Sequence, residues 1–410
     1  MSGLLWPGDH RADPVLDDTA VVDAMVAVEA AWAGALVAHG IAPPEAAVGA
    51  EVLRGLVSGP DLAHLAVAAE PAGNPAEPLV RLLRERLGPD LPVARWMHRG
   101  LTSQDVVDSV LLICSRAAVD VVRADVAEQV QLLTALVERH RRTSMVARTL
   151  TQHAVPTTFA LKASQWLAGV LDAYEDLVAL RFPAQLGGAA GTMSALVELA
   201  AHLPDPLAAA EDVRHETVLA LGLELSVPWQ TVRSAVTRLA DAAVGCTAAW
   251  GHVANDVLVL SRTEVGEVSE GSGGGSSTMP HKANPTLSVL IRRAALVAPG
   301  MSAVLHLAAA EAVDERTCGG WHAEWETLRA LLRLTVVAGS QTTDLLRCLQ
   351  VHGDRMAQTL EEAGPSVRSE QQVMAELAGR ARQDQYLGLT DAFVDATLDR
   401  AATLLAERPR

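Results

Sequence analysis

Aromatic residues are scarce in this chain: tryptophan, tyrosine and phenylalanine make up 3 % of 410 residues, although half of the residues are apolar. A core with so few large rings must be built from alanine, leucine and valine, and a sequence this poor in β-formers argues for closely packed helices. Cysteine is scarce too. Cys114, Cys246, Cys318 and Cys348 lie far apart and none forms a CxxC pair, which argues for reduced thiols against a disulfide or zinc set. The opening run MSGLLWPGDHRAD has no basic region followed by an apolar stretch. Arg292 and Arg293 interrupt the best candidate for an uncharged span of about 20 residues. A cytoplasmic protein without a membrane partner is expected. Positive charge is in deficit as well: the formal net charge is −16, whereas nucleic acid and anionic bilayers call for a basic surface. A small anionic substrate is not excluded, because it responds to the local field of its pocket.

At 410 residues the chain is long enough for two or three domains sharing a large core. Its longest uninterrupted helical segment, Leu101 to Met145, contains neither glycine nor proline and places Val106, Val110, Ile113, Ala117, Val121, Val130 and Leu133 at helical spacing. A helix of that length reaches about 60 Å at 1.5 Å per residue, and only a long bundle buries it. Similar segments run from Thr157 to Phe182, Trp229 to Val265, Thr286 to Ala298 and Trp321 to Ala338, with Pro299–Gly300 expected to break or kink one of them. Before His98 the pattern reads as shorter helices punctuated by Pro43–Pro44, Gly59–Pro60, Pro71–Pro78 and Gly88–Pro89. After about Leu345 it shortens again around Gly353, Gly364–Pro365, Gly379 and Gly388. The expectation is an all-α chain with a helical domain over 1–100, a central long-helix bundle over 101–345 and a small helical domain over 346–410.

The segment Gly271–Pro285, GSGGGSSTMPHKANP, concentrates chemistry-bearing side chains on a glycine-rich loop. Gly273, Gly274 and Gly275 let backbone N–H groups approach an anion closely. Ser276 and Ser277 follow, then Met279, Lys282 and Asn284. A serine hydroxyl becomes an acid or base only when donors such as Lys282 and loop amides stabilise its oxyanion. Glycine and serine alone would favour a flexible linker, but a linker has no need of Met279, Lys282 and Asn284 at fixed spacing.

The run GSSTMPHKANP resembles the signature of the fumarase/aspartase superfamily. The resemblance implies a three-domain, all-α fumarase/aspartase-like fold, a homotetramer with active sites completed by several subunits, and acid/base chemistry at Ser276 with Ser277, Met279, Lys282 and Asn284 at the substrate. Two further blocks extend it. In HRGLTSQDVVD, His98–Asp108, residues Thr102 and Ser103 can cap the long helix, while the resemblance assigns His98, Thr102 and Ser103 to the substrate's anionic end. In ARTLTQHAVP, Ala147–Pro156, Leu150 stands where other members carry a histidine. There Thr149, Gln152 and His153 are similar to the pattern of 3-carboxy-cis,cis-muconate cycloisomerases, although a lone histidine is as readily an ordinary hydrogen-bonded residue. AGNP at Ala72–Pro75, GGAAGT at Gly187–Thr192 and GGWHAEWETL at Gly319–Leu328 are similar to the same branch. On a helix Trp321 and Trp325 share a face with His322 displaced from it, and the spacing of His322 and Glu324 fits no zinc pattern.

Arg99, Leu150 and Arg262 depart from that branch, and Arg99 and Leu150 can reshape the pocket. What the resemblance implies is therefore a di- or tricarboxylate substrate, no cofactor and no metal. The activity it implies is closure of 3-carboxy-cis,cis-muconate to a lactone in protocatechuate breakdown (the β-ketoadipate pathway), with Ser276 and His153 moving the proton. The alternative is a C–N lyase expelling a nitrogen group from a succinate-type substrate such as nitrosuccinate. A crystallin-like structural role is disfavoured by the intact Ser276, Lys282, Asn284 and His153.

Overall fold

The computed structural model describes residues 4–271, 274, 275, 279 and 282–406. Helices dominate it, as a ring-poor chain rich in alanine and leucine requires, and strands are confined to short antiparallel pairs.

The long glycine- and proline-free segment forms a helix over Ser103–Arg139, ending earlier than its composition suggests. A local turn stops it: the Thr143 N–H donates to the His140 carbonyl at 3.0 Å, and His140 Nδ1 lies 3.1 Å from Thr143 Oγ1. The chain then enters a strand, Ser144–Thr149, which includes Met145. Other long helices span Phe159–Val178, Ser234–Leu260, Thr286–Ala310 and Gly320–Cys348. Pro299 does not break its helix, which continues to Ala310 with Ala294, Ala298 and Leu305 buried on either side of the proline. In the leading region Pro71 likewise lies within the helix Gly59–Ala72, and Asp18–Ala38 is a single long helix whose Asp17 cap accepts from Ala20 N–H at 2.7 Å. By length and composition alone, Asp18–Ala38 and Thr286–Ala310 could each cross a membrane; their apolar windows are 61 % and 28 % buried.

Two compact units are each assembled from separated segments of the chain. The first comprises the chain up to Asp120, Leu180–Asp241 and Gly300–Leu334, and its core includes Trp32, Leu36, Leu53, Leu79 and Leu83. The second comprises Val121–Ala179, Ala242–Pro299 and the chain from Thr335, around Phe159, Trp166 and Trp250. Small residues carry the packing of this second unit. A side-chain carbon on Gly251 would come within 2.6 Å of the Ala295 methyl, so the helices Ser234–Leu260 and Thr286–Ala310 meet where neither presents bulk.

Candidate active site

In the first unit, the start of the helix Ser103–Arg139 gathers several of the expected residues. Asp105 reaches back to the Thr102 N–H at 3.0 Å, closing the first turn. Thr102 does not cap the helix with its hydroxyl, as the sequence suggests it could, because Oγ1 accepts from Arg316 Nη2 at 2.7 Å. Asp105 also accepts from the N–H groups of Gly187 and Gly188, at 2.8 and 2.9 Å, and so fastens the GGAAGT segment to this helix. Burial raises its pKa to about 6 against the opposing pull of those donors. Ser103 is the first residue of the helix and is half-buried.

His98 sits just upstream in a left-handed backbone conformation, φ 63°, with Nδ1 2.7 Å from Oε1 of the buried Glu29. The helix Gly320–Cys348 is bound to the same region through charge. Arg233 makes a two-pronged contact with Asp108 at 2.8 and 2.9 Å and reaches Glu324 through Nε at 3.0 Å; all three are buried. The Trp321 Nε1–H donates to Asp108 at 2.9 Å. Burial raises the Glu324 carboxyl above its ordinary pKa, opposed by Arg233.

Trp321 and Trp325 do share a face, edge to face at 4.7 Å, and His322, exposed where Trp321 is buried, still brings its ring against both. Its ring lies 4.7 Å from Trp325 and 5.3 Å from Trp321, because side chains on a helix lean over the preceding turn. Its Nε2 lies 2.9 Å from the Gly73 carbonyl, which joins GGWHAEWETL to AGNP.

The second unit holds the other candidates. Strands Ser144–Thr149 and Gln152–Thr158 form a hairpin that pairs Thr149 with Gln152 and Arg148 with His153. Leu150 and Thr151 make its two-residue turn with φ of 49° and 70°, the conformation that a two-residue hairpin loop demands and that side chains resist. Gln152 and His153 are exposed, and Leu150 is 96 % exposed at the tip. Arg148 grips the fully buried Glu267 with both guanidinium arms, at 2.9 and 2.7 Å.

Glu267 stands at the root of the glycine-rich loop. Strand Val268–Ser269 pairs with Gln350–Val351, and Gly271, φ 72°, passes so close to the Cys348 carbonyl that any side chain would collide with it. The Glu270 carboxylate accepts from the N–H groups of Leu287 and Ser288 at 3.1 and 2.7 Å, tying the entry of the loop to the helix that follows it. The Gly274 N–H is not left for an anion: Gly274 and Asn284 exchange backbone hydrogen bonds of 2.9 Å in both directions. The Lys282 N–H donates to the Met279 carbonyl at 3.0 Å, and both side chains are exposed. Ser276 and Ser277 lie outside the described residues.

A family model described as "Lyase" matches residues 12–300. The chain belongs to this lyase family, within the fumarase/aspartase superfamily. Nitrosuccinate lyase of Streptomyces davaonensis is 41 % identical over 93 % of this chain and 82 % of its own length. A 3-carboxy-cis,cis-muconate cycloisomerase of Bradyrhizobium diazoefficiens is 38 % identical over 84 % of the chain and 76 % of its own length. Among solved structures, the 3-carboxy-cis,cis-muconate lactonizing enzyme of Pseudomonas putida superposes with a TM-score of 0.85 at 28 % identity, covering 96 % of this chain and 97 % of that one.

For this superfamily member the expected site residues fall into two sets. His98, Thr102 and Ser103 belong to the first unit; Thr149, Gln152, His153, Met279, Lys282 and Asn284 belong to the second. A cavity of about 300 Å³ beside Met25, Val110, Cys114 and Trp325 contains none of them. Sequence reasoning did not single out Glu29, Arg148, Glu267 or Arg316, because each acts through a partner remote in the chain. The separations are 69 residues for Glu29 and His98, 119 for Arg148 and Glu267, and 214 for Arg316 and Thr102.

Proposed function

We propose that this superfamily member is a 3-carboxy-cis,cis-muconate cycloisomerase. One observation carries the reading. Segments similar to the cycloisomerase branch meet around the start of one helix: GGAAGT through Asp105, GGWHAEWETL through Trp321 and Asp108, and AGNP through His322 and Gly73. In the proposed reaction a carboxylate oxygen of the substrate adds to its own double bond, closing a lactone, and the neighbouring carbon takes up a proton. Charge builds on the carboxylate that conjugates with that carbon, so cationic groups and N–H donors favour the transition state. In this reading Ser276 delivers the proton with His153 as its partner or substitute. Ser277, Met279, Lys282, Asn284, Thr149 and Gln152 contact substrate, and His98, Thr102 and Ser103 hold an anionic end. Only a proton and one C–O bond change, so the reaction calls for no cofactor.

A second reading has its own support in the relative at 41 % identity, a nitrosuccinate lyase that aligns with more of the chain than the cycloisomerase at 38 %. Here a base takes a proton from the carbon β to the nitro group, the resulting aci-carboxylate expels nitrite, and fumarate is left.

Both readings carry with them a cytoplasmic homotetramer, divided at about residues 100 and 345, in which several subunits complete each site. The helix Thr286–Ala310 leaves Val289, Leu296, Val304 and Leu307 exposed, an apolar face suited to burial against other copies. The exposed Gln152 and His153 would then find their substrate against a neighbouring subunit.

The deciding experiment incubates the purified protein with 3-carboxy-cis,cis-muconate and, separately, with nitrosuccinate. A cycloisomerase removes the conjugated-diene absorbance and releases nothing. Stoichiometric nitrite from nitrosuccinate, with the diene untouched, overturns the first reading in favour of the second.

A further inference from the structure

His98 is held with unusual care. Its backbone occupies the left-handed region, at φ 63°, which costs a non-glycine residue free energy and persists only where the surroundings enforce it. The enforcement is visible on both sides. Arg84 Nη2 donates to the Met97 carbonyl at 2.6 Å, and Trp32 Nε1 donates to the Arg99 carbonyl at 2.7 Å. Gly100, φ 88°, lets the turn lie against the Trp32 ring, which a side-chain carbon would approach to 3.3 Å. The imidazole itself is fixed by Glu29, a carboxylate 1 % exposed in the otherwise apolar middle of the helix Asp18–Ala38. Nδ1 lies 2.7 Å from Glu29 Oε1, while 18 % of the His98 side chain stays accessible. Among the described residues Nε2 has no partner, and Oε2 of Glu29 is buried without one.

We propose that Glu29 is a positioning residue that holds His98 by Nδ1 as a cation, so that Nε2 receives a carboxylate of the substrate. A buried carboxylate with no other partner gains most from a proton that stays on the facing imidazole, and that proton must lie on Nδ1. The charged groups around the ring are Glu29 on Asp18–Ala38, Arg84 on Ala76–Leu87 and Asp105 on Ser103–Arg139. Burial and Arg84 favour the neutral ring; Glu29, by charge and hydrogen bond, and Asp105 outweigh them, raising the pKa above 6.5. Because the folded pKa is raised, the cation is complete at low pH and is lost as pH rises through that raised value. Carboxylate affinity should fall over the same window. The inference rests on the carboxylate-substrate reading above but not on which of its two reactions occurs.

The test is a ¹⁵N-histidine titration of the full-length protein, the Glu29→Gln variant and the Glu29→Asp variant. It is paired with calorimetric binding of propane-1,2,3-tricarboxylate as the probe between pH 6 and 8.5. In E29Q the His98 midpoint should drop by about one pH unit or more, and the probe should bind about tenfold more weakly at pH 7.5. E29D keeps the charge and should recover part of both. With whichever substrate is turned over, E29Q should raise KM by about tenfold while kcat changes by less than about threefold, the mark of lost ground-state binding. His98→Gln should abolish the pH dependence of probe binding, and this decides the matter if E29Q does not fold. A parent-like His98 midpoint in E29Q, a parent-like pH dependence in H98Q, or a probe that fails to bind the parent at pH 6 overturns the proposal. Absence of turnover with both substrates, alongside the expected shifts, would instead count against the proposed reactions and leave the role of Glu29 standing.

Discussion

Arg148 and Glu267 form a two-pronged ion pair, at 2.9 and 2.7 Å, between the strand that ends at Thr149 and the root of the glycine-rich loop. Glu267 is fully buried, and Arg148 is partly buried, with 16 % of its side chain accessible. The pair therefore couples two pieces of the expected chemistry, the His153 hairpin and the loop carrying Lys282 and Asn284, within one compact unit.

Removing one partner leaves the other charge buried and unpaired. Arg148→Ala should destabilise the protein by about 3 kcal/mol, whereas the double change Arg148→Met with Glu267→Leu should regain most of that loss. Urea unfolding of the two variants measures the difference. Equal stability of the single and double variants would mean that Glu267 finds another partner.

The hairpin turn offers the opposite sign. Leu150 and Thr151 occupy left-handed conformations, and Leu150 is 96 % exposed, so neither the backbone nor burial favours these residues at these positions. Leu150→Asn with Thr151→Gly supplies the pair that a type I′ turn prefers and should stabilise the protein by about 1 kcal/mol. A several-fold change in KM alongside that gain would identify Leu150 as a substrate-facing residue in the assembled enzyme. Unchanged kinetics would leave it a solvent-facing tip.

Much of this was legible in the sequence, and the reasons differ by level. The all-α class followed from composition, and the superfamily from GSSTMPHKANP. The end of the long helix was not legible, since Arg139–Met145 has neither glycine nor proline and the stop is a His140–Thr143 turn stabilised by its own hydrogen bonds. At Pro299, where a break or a kink was expected, the break does not occur, because burial on both sides carries the helix across it. His98 and Thr102 stood out in a motif, whereas their partners Glu29 and Arg316 did not. Glu29 reads as a stray charge in an apolar helix until folding brings it to His98.

Asp105 should give stability a distinctive pH dependence. Its pKa is raised from 3.8 to about 6 by burial, so the folded state holds the proton more tightly than the unfolded chain does. Relative to Asp105→Asn, which cannot titrate, the parent should lose stability as pH rises between those two values and change little above them. Urea midpoints of both proteins at pH 4.5, 5.5, 6.5 and 7.5 test this. A difference that grows with pH would mean that the N–H groups of Thr102, Gly187 and Gly188 outweigh burial and hold Asp105 charged.

The division of labour between Ser276 and His153 makes the last prediction. Ser276→Ala should leave fold and assembly intact and lower turnover by about 10² or more, the scale of a lost acid/base group. Turnover within a few-fold of the parent would remove Ser276 from the mechanism. His153→Gln keeps a polar side chain at an exposed strand position paired with Arg148, so the hairpin should survive the change. It removes an imidazole, the side chain that ordinarily titrates near neutrality. If His153 shares the proton transfer, H153Q should lower kcat and flatten the near-neutral limb of the pH–rate profile. The S276A/H153Q double variant should then fall little below S276A alone, because residues that act as one unit are not additive. Independent, multiplicative losses would assign the two residues to separate steps. An unchanged profile in H153Q would leave His153 a surface residue of the hairpin and Ser276 as the sole proton carrier.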